Sequence, residues 1–212
     1  MEIIKCNQGS DAWWKARRGR PTASEFSRFI NTSGGLSTAR AKGDNGLSVG
    51  AKTYAAEKIA EGLGWTKAEF AGSPDIERGH QLESMARSFL AFELGKDVEE
   101  VGICISDCGR YAASPDGMIG GTVPIEVKCP DLHTQVRRML DGGGLPAEYK
   151  AQVHGQMIVT GAPYSWFCSY VVDTRVPNIL IKVERDEYTT KLEESIKDFC
   201  DRLEILKGEA LL

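Results

Sequence analysis

Nothing in this 212-residue chain approaches the roughly 18 consecutive apolar residues of a membrane-spanning helix. The opening MEIIKCNQGSDAW also lacks the apolar centre of a signal peptide. A cytoplasmic location without membrane contact is the expectation. Histidine is scarce, and His80, His133 and His154 form no HExxH or similar array. The absence of a GxxxxGK[ST] loop argues against a nucleotide-driven motor. Six cysteines (Cys6, Cys104, Cys108, Cys129, Cys168, Cys200) are scattered without a CxxC pair. Their spacing fits neither a zinc site nor an iron–sulfur site, so they read as reduced, mostly buried thiols. No nucleophile–histidine pair stands out, which disfavours a small-molecule hydrolase. There is no internal repeat, low-complexity tract or dividing linker, so residues 1–212 read as one domain with enough chain for a good core.

What charge there is lies unevenly. The net charge is −4, yet residues 1–60 hold ten Lys/Arg against five Asp/Glu, and the remainder 16 against 25. The basic excess centres on KARRGR (15–20), followed by Arg28, Arg40, Lys42 and Lys52. A local basic patch can hold phosphates while an acidic body avoids indiscriminate adhesion to nucleic acid. The plainer reading is a solvated basic face.

The chemistry concentrates in SPDGMIGGTVPIEVKCP, residues 114–130. Gly120, Gly121 and Thr122 mark a turn between an extended Gly117–Ile119 and the β-branched run from Val123, which is a hairpin signal. Strand alternation puts Ile125 and Val127 on one face and Glu126 and Lys128 on the other. With Gly121 at the centre of the turn, Asp116 lies opposite Glu126, and opposed residues have Cβ atoms about 4.5–5.5 Å apart. Two adjacent carboxylates repel and are costly to bury without compensation. Mg²⁺ supplies it, taking oxygen ligands from one or two carboxylates plus water and phosphate. With a lysine to orient the attacking water, the set suits in-line attack on a phosphodiester. The chain carries its own control, a second ExK at Glu148-Tyr149-Lys150. That copy follows Pro146 and enters a helical stretch, where positions two apart do not face each other.

Local signals place the other elements. Ser10 caps a short helix over Asp11–Arg18, and Thr22 or Ser24 caps another that carries Phe26, Phe29 and Ile30. Residues 31–48 read as a mobile loop, and Ser48 caps a helix to about Glu61. A longer helix starts at Ser73 or Asp75 and ends at Leu94, with an apolar stripe of Leu82, Met85, Ala86, Phe89, Leu90 and Leu94. Glu83 falls outside that stripe or at its margin. Strands are expected near Val98–Ile105, Arg110–Ala113, Tyr164–Val172 and Ile179–Glu184, and helices near Leu132–Leu140, Pro146–Thr160 and Asp186–Lys207. The order suggests an α/β sandwich with a mixed sheet.

SPDG followed by IEVKCP, with AQV about twenty residues later, resembles the phage lambda exonuclease and YqaJ-like viral recombinase family of the PD-(D/E)xK nuclease superfamily. NQGSDAWWKARRGRPTASE, GHQLESMAR and ERDEY (184–188) are similar to further blocks of that family, in the same order. The resemblance implies a restriction-endonuclease-like core, a central mixed sheet flanked by helices. By resemblance, Asp116, Glu126 and the carbonyl of Val127 hold Mg²⁺, with Mn²⁺ as a substitute, and Lys128 positions the attacking water. Glu83 becomes the outer acid and Gln152 a further polar group of the site. Arg17 matches the arginine that holds the DNA 5′-phosphate, near Ser24 and Ser114, with Arg18 the neighbouring alternative. The implied activity is 5′→3′ degradation of one strand of duplex DNA to 5′-mononucleotides, leaving 3′ overhangs for a single-strand annealing protein. A homotrimeric ring is implied as well. Departures from the pattern are His154 and Gly155, just after AQV; a structural role for His154 competes with contact to substrate. An endonuclease on the same core and a noncatalytic DNA-end-binding protein are the rival readings.

Overall fold

Local capping and strand period account for most of the elements. The computed structural model describes residues 1–30, 47–65 and 74–211, the side chains of 74–81 excepted. In chain order these form β1 (Glu2–Ile4), α1 (Asp11–Arg17), a 3₁₀ helix (Ala23–Arg28), α2 (Val49–Gly62) and α3 (Pro74–Leu94). Four short strands follow: β2 (Val98–Glu99), β3 (Ile103–Ile105), β4 (Ala112–Ala113) and β5 (Gly117–Ile119). The rest is β6 (Val123–Lys128), α4 (Leu132–Leu140), α5 (Ala147–Thr160), β7 (Tyr164–Ser169), β8 (Ile179–Glu184) and α6 (Glu187–Ala210). Ser10 and Ser48 cap α1 and α2 with their side chains, as expected. Ser73 and nearly all of the 31–48 stretch lie outside the described residues.

The central sheet has the order β2-β5-β6-β7-β8, and only β6 and β7 run parallel. A parallel neighbour requires a crossover, here α4 and α5, which carries the chain from the end of β6 back to the start of β7. α3 covers one face of β6, where Ile125 and Val127 pack against Ala86 and Leu90. α5 covers the other face and in turn packs on the 3₁₀ helix and α6. Phe29 stacks on Phe199 with ring centroids 4.2 Å apart, and Phe26 and Tyr54 complete this aromatic centre. Gly155 accounts for the close approach of α5 to the 3₁₀ helix: a Cβ there would stand 2.6 Å from the Phe26 ring. That contact accounts for Gly155, one of the two departures after AQV.

The structure departs from the sequence reading in several places. Val98–Ile105 is not one strand: β2 joins the central sheet, while β3 joins a second sheet of order β1-β3-β4. The segment over Phe26 is 3₁₀ rather than α, with Thr22 at its N-cap but without a side-chain capping bond. Met85 of the α3 stripe is exposed rather than packed. All six cysteines are free thiols; Cys104, Cys168 and Cys200 are buried, Cys6 and Cys129 half-buried and Cys108 exposed. Among the described residues no helix is long and apolar enough to cross a membrane.

Candidate active site

The hairpin register pairs Gly117 with Ile125, Met118 with Pro124 and Ile119 with Val123. Gly120 and Gly121 both have positive φ, 57° and 65°, which allows the tight reversal. One step past the paired residues, the Asp116 N–H donates to the Ile125 carbonyl at 3.0 Å. That bond is one position out of the ladder register, so the chain bulges at Asp116 and its side chain reaches the Glu126–Val127 end of β6 rather than standing squarely opposite Glu126. The Val127 N–H donates to Asp116 Oδ2 at 2.7 Å. A strand residue turns its N–H and C=O to the same edge, so the Val127 carbonyl also points past the end of β5, towards Asp116.

Glu126 is wholly buried. One carboxylate oxygen accepts a hydrogen bond from Gln156 Nε2 of α5, and the other meets Lys128 Nζ as an ion pair outside hydrogen-bonding geometry. Burial pushes the Glu126 carboxyl above its usual range, against the opposing pull of Lys128 and Gln156. Asp116 keeps partial access to solvent, yet the atoms packed around it desolvate it. That desolvation, followed by the charge of Glu126, raises its carboxyl well above the ordinary value. Burial works against the Lys128 ammonium, but Glu126 and Asp116 more than offset this and hold it protonated.

α3 closes the open side. The charge of Glu83 pushes both carboxyls in the same upward direction, although it is the smallest of the contributions. Arg87, one turn on, lies 3.9 Å from Glu83 and donates to the Asp116 carbonyl at 3.3 Å, fastening the helix to the start of β5. Among the described residues no group of three acidic, histidine or cysteine side chains is gathered to hold a metal ion. The donor set is all oxygen: two carboxylates and a carbonyl at the strand end. Both carboxylates are destabilised in their ionised form by burial, with a single lysine against them. These residues fit a hard divalent cation such as Mg²⁺, which would relieve that destabilisation.

The N-terminal segment serves the same loop. Gln8 Nε2 donates to the carbonyls of Val101, at 3.2 Å, and Pro115, at 2.9 Å. Trp13 Nε1 donates to Ser114 Oγ at 2.8 Å. The QG-x-DAW residues thus hold the SPDG loop, a role that the sequence reading did not assign. Arg17 packs over the Trp13 ring at 4.3 Å and donates to Thr22 Oγ1 at 3.0 Å. Burial pulls its pKa below the usual guanidinium value. Trp13 therefore links Arg17 to Ser114, two residues from Asp116. Arg18 is exposed at the helix end, and Ser24 is exposed on the 3₁₀ helix.

On α5 the residue that meets Glu126 is Gln156, which sequence reasoning missed; Gln152 sits half-buried one turn earlier. His154 is buried against α6, its Nδ1 2.8 Å from Thr189 Oγ1 and its ring edge-on to Tyr188. The control tripeptide is helical, with Glu148 near Arg138 and Lys150 over Tyr188. Its middle residue is another matter: the Tyr149 ring lies 5.1 Å from Lys128 Nζ. A spacing argument gives no sign of that contact.

A mixed sheet flanked by helices, with two acids and a lysine at the end of a hairpin, defines a nuclease-type core. The model of the YqaJ-like viral recombinase domain matches residues 12–163, and the chain belongs to that family. No curated protein matches it. Among solved structures it is similar to an alkaline exonuclease from Laribacter hongkongensis, at 29% identity and a TM-score of 0.70, covering 95% of this chain and 98% of that one. The same enzyme in complex with dAMP gives 28% identity and a TM-score of 0.71 over the same shares. A phage-related exonuclease from Haemophilus somnus 129PT shares the fold at 16% identity, with a TM-score of 0.63 over 90% of this chain and 96% of that one.

Proposed function

We propose that the chain is a DNA exonuclease that degrades one strand of linear duplex DNA from 5′-phosphorylated ends in the 5′→3′ direction. The observation that carries this reading is the meeting of Asp116 and Glu126 at the end of the hairpin, where the Val127 N–H donates to Asp116 Oδ2 and Lys128 pairs with Glu126. Membership of a viral recombinase family and similarity to an alkaline exonuclease support it. So does that enzyme's structure with dAMP, a mononucleotide of the size such a reaction releases. Working in the cytoplasm as a homotrimeric ring, the protein would pass its 3′ overhangs to a single-strand annealing protein.

Asp116, Glu126 and the Val127 carbonyl would hold Mg²⁺, with Mn²⁺ as a substitute. When bound, the ion supplies Lewis-acid polarisation of the scissile phosphate and stabilises the leaving 3′ oxygen. Lys128, held against Glu126, orients the attacking water and the phosphate by donation. Gln156 holds Glu126 in place from α5. Arg17 is already ordered by Trp13 and Thr22 and offers its remaining donors to the terminal phosphate, with Ser114 and Ser24 nearby. Gln152 and the outer acid Glu83 complete the polar rim.

The test uses end-labelled linear duplex with a 5′-phosphate or a 5′-hydroxyl, with and without Mg²⁺, beside a closed circle. Mg²⁺-dependent release of mononucleotides from the 5′ strand, faster with phosphate and absent on the circle, is expected. Asp116→Ala should abolish it, and Arg17→Ala should chiefly remove the phosphate preference. Cutting of the circle would make the protein an endonuclease; end binding without cleavage would make it a scaffold.

A further inference from the structure

Helix α4 is turned inside out. Its polar Gln135 and Arg138 are buried, whereas Leu132, Val136, Met139 and Leu140 are between 36 and 82% exposed. Burying a guanidinium is costly unless its donors are matched, so the inward side chains need an explanation. Arg138 Nη1 donates to Ser169 Oγ at 2.7 Å, and Nη2 donates to Tyr149 Oη at 3.1 Å. Ser169 Oγ donates in turn to Gln135 Oε1 at 2.6 Å, and Gln135 Nε2 returns a bond to the Ser169 carbonyl at 3.3 Å. Ser169 is the register partner of Lys128 across β6 and β7. The network therefore ends beside Lys128.

Tyr149 is where the two meet. Its ring stacks on the fully buried Phe167 at 5.5 Å, its hydroxyl is held by Arg138, and Lys128 Nζ lies 5.1 Å from its centroid. Among the described residues the carboxylate that pairs with Arg138 is the exposed Glu148 at 3.9 Å, a weak partner. Ion pairing alone does not explain why this arginine is inside. A lysine head on a flexible four-carbon stem needs a surface to fix its direction, and an aromatic face attracts an ammonium.

We infer that Tyr149 seats the Lys128 ammonium against Glu126 and that buried Arg138 clamps that seat, both as positioning residues. The inference rests on the part given to Lys128 in the proposed exonuclease. Glu148-Tyr149-Lys150 then matters through its middle residue, at the helical period that faces β6.

The experiment combines kinetics with a measurement that needs no turnover. Tyr149→Leu should lower kcat on the order of 100-fold, with KM within about two-fold, as a misplaced group does. Tyr149→Phe, which keeps the ring and loses the Arg138 bond, should lose less than about ten-fold, well within that bound. Arg138→Lys should match it; if that variant fails to fold, Tyr149→Phe alone removes the same hydrogen bond. The double variant Tyr149→Leu/Lys128→Met should be no slower than Lys128→Met, because the tyrosine acts through the lysine. Losses that multiply, or a Tyr149→Leu enzyme with normal kcat, would overturn the inference. Separately, ¹³C relaxation of the Lys128 ε-methylene should report an ordered side chain that becomes mobile on the nanosecond scale in Tyr149→Leu. If the wild type degrades no DNA but this order is lost, the exonuclease reading fails and the positioning stands. If Lys128 is equally ordered in both, the positioning fails even with the exonuclease intact.

Discussion

Two carboxylates held side by side destabilise the protein that carries them until a cation arrives. Asp116 and Glu126 are both pushed up in pKa, first by burial, with the charge of Glu126 next for Asp116. A carboxyl whose folded-state pKa is raised binds its proton more tightly when folded than when unfolded. Its favourable contribution is full in acid and is lost as pH rises from about 4, the unfolded value, through the raised folded value. At neutral pH the cation-free site is therefore a net cost. Asp116→Asn keeps an acceptor for the Val127 N–H and removes the like charge, so it should raise the melting temperature in EDTA at pH 7. Each kcal/mol recovered is worth about 2–4 °C for a chain of this size. Mg²⁺ should then raise the melting temperature of the wild type, by mass action, and leave the variant nearly unmoved. An Asn variant that melts lower in EDTA, or that gains as much from Mg²⁺, would remove Asp116 from the ligand set.

At the scale of the elements, what could be read in advance was what local chemistry decides. Ser10 and Ser48 announce α1 and α2, and a period of two across a glycine turn is enough to bring Asp116 to the Glu126–Val127 end of β6. β1 was not legible: three residues carry no pattern of their own, and their partners, Ile103–Ile105, lie about a hundred positions away. The same pairing breaks Val98–Ile105 between two sheets. Gln156 and Tyr149 were hidden for a related reason, since only the packing of α5 on β6 shows which of its turns meets Glu126 and Lys128. His154, on the opposite side of α5, titrates in the opposite sense to the carboxylates. Desolvation against α6 lowers its pKa to about 4, with Asp186 at 3.7 Å pulling upward and Lys150 and Arg185 pushing down. A depressed histidine stabilises the fold fully above its unfolded value near 6.5 and loses that contribution as pH falls towards 4. Urea unfolding between pH 6.5 and 4 should show a steep decline that His154→Asn flattens. Equal slopes would place the acid sensitivity elsewhere.

Over the whole molecule, the basic excess at the N-terminus divides once it is folded. Arg20 donates to the Ala16 and Gly109 carbonyls, both at 2.8 Å, and so ties the end of α1 to the turn before β4. Arg28 makes a bidentate pair with Glu57. Arg17 is half-buried over Trp13, and Arg40 and Lys42 lie outside the described residues. Of KARRGR, Lys15 and Arg18 are the exposed residues. Where this face meets DNA, these two side chains contribute to its long-range attraction, while the acidic remainder of the molecule repels the duplex elsewhere. Each phosphate contact releases about 0.9 of a counterion, so Lys15→Ala/Arg18→Ala should flatten the plot of log affinity against log salt by up to about 2 units. Arg20→Ala should instead lower the melting temperature, because it frees two carbonyls of their donor. Fluorescence anisotropy with a labelled duplex end, taken across a salt series in Ca²⁺ to suppress cleavage, separates the two. An unchanged slope in the double variant would make the KARRGR face a solvated surface and move the DNA path to another side of the molecule.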